Sequence, residues 1–228
     1  RTRYIPMSAP VESPLVESPP ACHARPPRRP VAAVVAALAV LIAAVYLPVL
    51  KFEFVDFDTF EQVVANPYIR TLSLDNVKHI LTTRCITSYY PVRTLTFALD
   101  HALWGLHAGG FKLTNVLIHL ANAVLVFWLV LRLGDVASPG AGVRRSRDVA
   151  LAGFAGGLFA MHPVVVEPVV WIPGREELLM GLGALGTIHF HIAARLASDA
   201  GKSRKLVLAY HGASVFCCAA ACLSNAVG

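Results

Sequence analysis

An all-α membrane protein with about five transmembrane helices is what the sequence predicts, and three observations predict it. The 228 residues are 56% apolar and only 15% charged, where an ordinary soluble domain carries roughly a quarter charged residues. The apolar residues gather into five stretches, near 31–50, 113–131, 149–172, 178–197 and 206–223, each close to the length that crosses a hydrocarbon core. The basic residues fall on alternate sides of those stretches, as they do in proteins that sort positive charge to the cytoplasm.

The first thirty residues hold eight Pro and five Arg and too little apolar area to fold, so they read as a disordered cytoplasmic tail. The run VAAVVAALAVLIAAVYLPVL has no charge over twenty residues and reads as an uncleaved anchor rather than the shorter apolar region of a signal peptide. A loop over 51–111 follows, long enough to carry structure of its own. In it Ser73 or Asp75 caps a short helix containing Leu74, Val77, Ile80 and Leu81. Pro91 opens a second helix, and Gly105 or the Gly109–Gly110 pair closes it. Helices of this amphipathic kind suit the membrane interface, with Tyr89, Tyr90 and Trp104 at headgroup depth.

Charge sets the expected orientation. The segments 1–30, 132–148 and 195–205 hold thirteen of the twenty basic residues, whereas 51–111 holds five basic and six acidic ones. The N-terminus is therefore expected in the cytoplasm and the 51–111 loop outside it, in a bacterial inner membrane or the endoplasmic reticulum. The net charge of +6 is a topology signal rather than a nucleic-acid footprint, because the basic residues are not interleaved with aromatics. The five cysteines show no metal-ligand spacing. Beginning at Arg1 and closing at Gly228 inside an apolar run, the sequence is expected to be an N-terminal piece of a longer protein.

Two constellations carry candidate chemistry. In FEFVDFDTFEQ, Asp56, Asp58 and Glu61 stand just beyond the first span, where a carboxylate can meet both a lipid-borne substrate and a water-soluble acceptor. In MHPVVVEPVVWIPGREELL, His162 and Glu167 lie near the outer end of the third span and Arg175 follows a glycine at the same surface. An ionisable group within an apolar stretch marks a functional site or a pairing that satisfies its burial. The pattern allows Arg175 to hold a phosphate through several N–H donors, and equally allows His162, Glu167 and Arg175 to pair with one another. Asn115 and His119, on the outer half of the second span, line the same region or bond across to neighbouring helices.

The segments FVDFDTFEQVVANPYIR, YYPVRTLTFALDHALWGLHAGGFKLTNVLIHLANAVLVF and LFAMHPVVVEPVVWIPGREELLMGLGAL resemble, in order, the GT-C type membrane glycosyltransferase-like proteins of the transmembrane and tetratricopeptide-repeat family, related to protein O-mannosyltransferases. The resemblance runs from about Phe52 to Gly228. It implies transfer of a sugar, mannose by analogy, from a polyprenyl-phosphate carrier to a protein hydroxyl outside the cytoplasm, with membrane lipid and an acceptor protein as partners and no nucleic acid. It also implies that Asp58, at the first position of the family's acidic pair, is the catalytic base, with Glu61 and Asp56 as neighbouring carboxylates. Thr59 stands where that pair has its second acid. No cofactor is required by this chemistry, although Asp58 and Glu61 also suit a divalent cation. The alternative function is a non-catalytic anchor that presents C-terminal tetratricopeptide repeats to protein partners.

Overall fold

A computed structural model describes residues 28–55, 58–84, 89–137 and 146–225. Residues 1–27 of the expected tail, together with Asp56 and Cys85, lie outside the described residues. Every regular element among those described is helical. Helix α1 (Arg28–Tyr46) runs on into a 3₁₀ turn over Leu47–Lys51, because Pro48 lacks the N–H that an α-helical ladder would require there. Helices α2 (Leu74–Thr82) and α3 (Pro91–Trp104) occupy the long loop. After them come α4 (Ala108–Ala137), α5 (Ser146–Met161), α6 (Val166–Val170), α7 (Arg175–Asp199) and α8 (Arg204–Ser224).

Four of these elements, residues 30–51 with α4, α7 and α8, are long and apolar enough to cross a membrane, and there are five if α5 and α6 form one span. The molecule is an integral membrane protein. The expected third span at 149–172 is not one straight helix: α5 stops at Met161, and the chain resumes after a bend of 50°. Pro163 causes the break, by lacking a donor and by forcing His162 out of the helical region; His162 sits at φ −65°, ψ 131°.

The bundle core is built from Ile42 and Tyr46 of α1, Val116 and Ala123 of α4, Ala160 of α5 and Leu178 of α7. A second cluster toward the far ends of α1, α4 and α5 joins Val31, Leu38, Phe127, Leu131 and Ala152. The outward faces stay apolar, with Val40 69%, Phe154 71% and Phe216 73% exposed, as suits helices surrounded by lipid.

Helices α7 and α8 pack as an antiparallel hairpin. The Thr187 hydroxyl donates to the Gly183 carbonyl at 2.8 Å, and the Ser214 hydroxyl donates to the Thr187 carbonyl at 3.0 Å. They approach closely at Gly183, where a Cβ would stand 2.7 Å from the Cys217 carbonyl oxygen and 2.7 Å from the Ala221 Cβ. Small residues at such crossings let backbones meet where lipid offers no hydrophobic drive for association. Gly183→Leu is expected to cost about 1–3 kcal/mol through overpacking, read as a lowered Tm in detergent.

The expected ends of the two loop helices match the structure. Ser73 caps α2 by accepting from the Asn76 N–H at 3.2 Å. Pro91 opens α3, and Gly105 closes it at φ +60°, a conformation that costs glycine nothing. Between α1 and α2 lie two further short helical turns, Phe60–Val64 and Pro67–Ile69, which periodicity alone does not announce.

Candidate functional site

The end of the bundle where α1 finishes is organised by one buried lysine. Lys112 of α4, 3% exposed, donates from Nζ to the carbonyls of Phe52 at 2.6 Å and Glu53 at 3.0 Å, which fixes the start of the long loop against α4. Beyond it Asp58 takes a left-handed backbone conformation, φ +48°, and its carbonyl accepts from the Gln62 N–H at 3.0 Å. The turn that follows is wide, closing from the Ala65 N–H to the Phe60 carbonyl at 2.6 Å. Asn66 caps the next turn by accepting from the Tyr68 N–H at 3.0 Å. Val63 and Ile69 anchor both turns in a cluster with Phe97, Phe111 and Ile172. Thr59 is buried and Asp58 exposed, so a strained acidic residue is presented outward on a firmly packed base. A non-glycine residue held at positive φ costs on the order of 1 kcal/mol or more and persists only where the surroundings impose it.

Helix α3 turns its charged and polar residues inward and its leucines outward. Arg93, Phe97 and Asp100 recur at the spacing of one helix face and are 4%, 1% and 2% exposed, while Leu99 and Leu103 are 50% and 64% exposed. Arg93 forms an ion pair with Glu176 at the head of α7 and lies 4.4 Å from the Tyr90 ring centroid. Asp58 lies within electrostatic range of the same Glu176.

Two turns further along α3, Asp100 meets Arg175 at 2.5 Å and accepts from the Thr114 hydroxyl at 2.7 Å. Burial pushes the Asp100 pKa above the ordinary carboxylate value, while Arg175 and the Thr114 hydrogen bond pull it back down. Arg175 itself is fully buried. Its Nε donates to Asn115 Oδ1 at 2.7 Å, Nη2 to the Phe111 carbonyl at 2.7 Å and Nη1 to Thr96 Oγ1 at 3.2 Å.

Below this knot runs a polar seam along α4. Asn115, His119 and Asn122 repeat at i, i+4 and i+7, which puts them on one helix face. Asn115 Nδ2 donates to the carbonyls of Pro168 and Trp171, each at 3.2 Å. The His119 ring meets the Ala160 carbonyl at 3.0 Å, and Asn122 Nδ2 donates to the Leu178 carbonyl at 2.9 Å. These partners include carbonyls left without helical donors by the break after α5, and backbone groups freed at membrane depth need such replacements.

The expected site residues therefore separate into groups. Asp58 and Glu61 are both exposed, Asp58 just before the Phe60–Val64 turn that carries Glu61, and Asp56 lies outside the described residues. His162 and Glu167 are exposed; the His162 ring accepts from the Val164 N–H at 3.3 Å, and Glu167 sits in the first turn of α6. Neither pairs with Arg175, whose ionic partner is Asp100. An open Arg175 meeting a phosphate does not fit this arrangement, because internal acceptors occupy its guanidinium. Asn115 and His119 make helix-to-helix bonds. Among the described residues no group of three or more His, Cys, Asp or Glu side chains is set to hold a metal.

Sequence reasoning missed Arg93 and Asp100, the partners of Glu176 and Arg175. The signal was present on α3, where residues 93, 97 and 100 share a face that the rest of the helix does not predict to be inward. Glu176→Gln is expected to cost about 1–2 kcal/mol by weakening a charge-assisted bond to a buried arginine, seen as a lower Tm in detergent.

The chain is similar to several protein O-mannosyl-transferases. It is 33% identical to one from Caenorhabditis elegans over 159 residues, covering 66% of this chain and 21% of that protein. It is 32% identical to Tmtc3 of Drosophila melanogaster over 144 residues, 60% of this chain and 15% of that protein, and 35% identical to human TMTC4 over 99 residues, 42% of this chain and 13% of that protein. The chain thus spans about a fifth or less of the length of these relatives. No protein-family model and no solved structure matches it.

Proposed function

From the premise that over its matched residues this chain fits the protein O-mannosyltransferase family of its relatives, we propose that the whole protein is a membrane glycosyltransferase. It takes a sugar, mannose by analogy with those relatives, from a polyprenyl-phosphate carrier and passes it to a hydroxyl on an acceptor protein outside the cytoplasm. The observation that carries this reading is Asp58, exposed and strained at the loop end of the bundle within electrostatic range of Glu176.

Asp58 removes the proton of the acceptor hydroxyl as that oxygen attacks the anomeric carbon. The bond from this carbon to the carrier's phosphate oxygen breaks, its electron pair leaves with the phosphate, and the anomeric configuration inverts. A lipid phosphate is a good leaving group and requires no general acid. Arg93, buried and paired with Glu176, holds α3 against the head of α7 on the side where Asp58 lies. Arg175 acts indirectly, as a positioning residue that ties α3, α4 and α7 together.

A second reading is favoured by Thr59, which leaves the expected acidic pair incomplete: an anchor without catalysis that presents tetratricopeptide repeats to protein partners. Membranes containing the full-length protein, supplied with radiolabelled polyprenyl-phosphate sugar and a Ser/Thr peptide, separate the two. Labelled peptide above the level of untransformed membranes supports the transferase; its absence supports the anchor.

A further inference from the structure

The opposite end of the bundle carries charge that the fold itself does not use. Between α7 and α8 the chain reverses over residues 200–203. Gly201 takes φ +63°, and the Gly201 N–H donates to the Ser198 carbonyl and the Lys202 N–H to the Ala197 carbonyl, each at 2.9 Å. Ser203 then caps α8 by accepting from the Leu206 N–H at 3.4 Å. A left-handed glycine closed by such a pair of bonds is a standard helix stop, so backbone and one serine fix the turn. It carries four basic residues, Arg195, Lys202, Arg204 and Lys205, against a single acid, Asp199. All five are exposed, and none of their side chains has a hydrogen-bond or ion-pair partner among the described residues.

Two features point these cations at something outside the chain. Arg204 and Lys205 occupy the first turn of α8, which holds no acidic residue, and the helix dipole disfavours positive charge there. Arg175 stands in the same kind of position at the head of α7, but Asp100 meets its charge; no described residue does so for Arg204 and Lys205. The cations also stand where two helices long and apolar enough to cross a membrane come to an end, beside exposed Leu196, Leu206 and Leu208. We propose that the α7–α8 turn binds anionic phospholipid, whose headgroup phosphate oxygens accept from the four basic side chains while its acyl chains lie along the leucines. A soluble acidic partner matches the cations alone, whereas a lipid matches cations and leucines together at one height in the membrane. The inference is independent of the transferase reading and of which side of the membrane the turn faces.

The test uses the full-length protein in phosphatidylcholine vesicles that contain a trace of photoactivatable phosphatidylserine or, in parallel, photoactivatable phosphatidylcholine. Phosphatidylserine should label residues 195–208 on the order of tenfold more than phosphatidylcholine in low salt, and less so as added salt screens the charges. Arg204→Gln combined with Lys205→Gln should bring the two lipids close to parity, because each basic residue near an anionic surface contributes about fivefold. Arg195 and Lys202 remain in that variant, so the turn keeps a net positive charge for membrane insertion. Exchanging the pair, Arg204→Lys with Lys205→Arg, should preserve the preference, and the Tm in neutral detergent should match wild type in both variants. Equal labelling by the two lipids, or a preference that survives the double glutamine variant, would overturn the assignment. So would a fall of that variant's Tm in neutral detergent, which would give the pair to the fold, or displacement of the lipid by millimolar inorganic phosphate, which would make the turn a site for free anions.

Discussion

Asp58→Asn is expected to lower sugar transfer by about 10²–10⁴-fold, the usual contribution of a positioned general base, while leaving the Tm nearly unchanged. Asparagine is the informative substitution for two reasons. It keeps the shape of the side chain, and with aspartate it is among the few non-glycine residues that tolerate a left-handed backbone, which Asp58 adopts at φ +48°. Asp58→Ala would mix loss of the carboxylate with added strain, and Asp58→Gly would relieve strain while also removing the base. A glycine variant that is as stable as wild type or more so, yet inactive, would show that the strain serves activity rather than folding. Undiminished transfer by Asp58→Asn would remove Asp58 as the base.

The second large effect concerns stability. Arg175→Met should destabilise the protein by about 3–5 kcal/mol, the range for breaking one side of a buried ion pair. Arg175 opens α7, where the helix dipole disfavours positive charge, and it is fully buried there. What makes the placement tolerable is its set of partners: Asp100 at 2.5 Å, Asn115 Oδ1 at 2.7 Å and the Phe111 carbonyl at 2.7 Å. Removing the guanidinium strands the Asp100 carboxylate and leaves Asn115 Oδ1, the Phe111 carbonyl and Thr96 Oγ1 without their donor. Asp100→Leu should cost a similar amount, and the double variant less than either, because neither charge is then left alone. Thermal unfolding in detergent measures all three. Costs that simply add in the double variant would show that the two residues are not energetically coupled.

Much of the fold could be read from the residues themselves. The spans at 31–50, 113–131, 178–197 and 206–223 announce themselves by length and apolarity, and α2 and α3 by Ser73, Pro91 and Gly105, because these signals are local. The break after α5 was harder to see: Val164, Val165 and Val166 keep the stretch apolar straight through Pro163, so composition reads as continuous what the backbone cannot continue. The role of Arg175 is hard to read from sequence for a related reason. An arginine after a glycine at a membrane surface looks like a ligand-binding group until its partner is known, and Asp100 comes from a different helix far away in the chain. Glu61 and Asp58 are legible as neighbours, whereas the stacking of Tyr68 on His79 joins two separate turns and has no local signal.

The inverted polarity of α3 bears on how this protein can be taken apart. With Arg93 and Asp100 facing inward to Glu176 and Arg175, and Leu99 and Leu103 facing outward, the 51–111 segment cannot be cut out as a free-standing soluble unit. Excision would leave two charges without their counterparts on α7 and wrap the fragment in leucine, so it would aggregate. Work on the loop's ligands belongs with the bundle still attached.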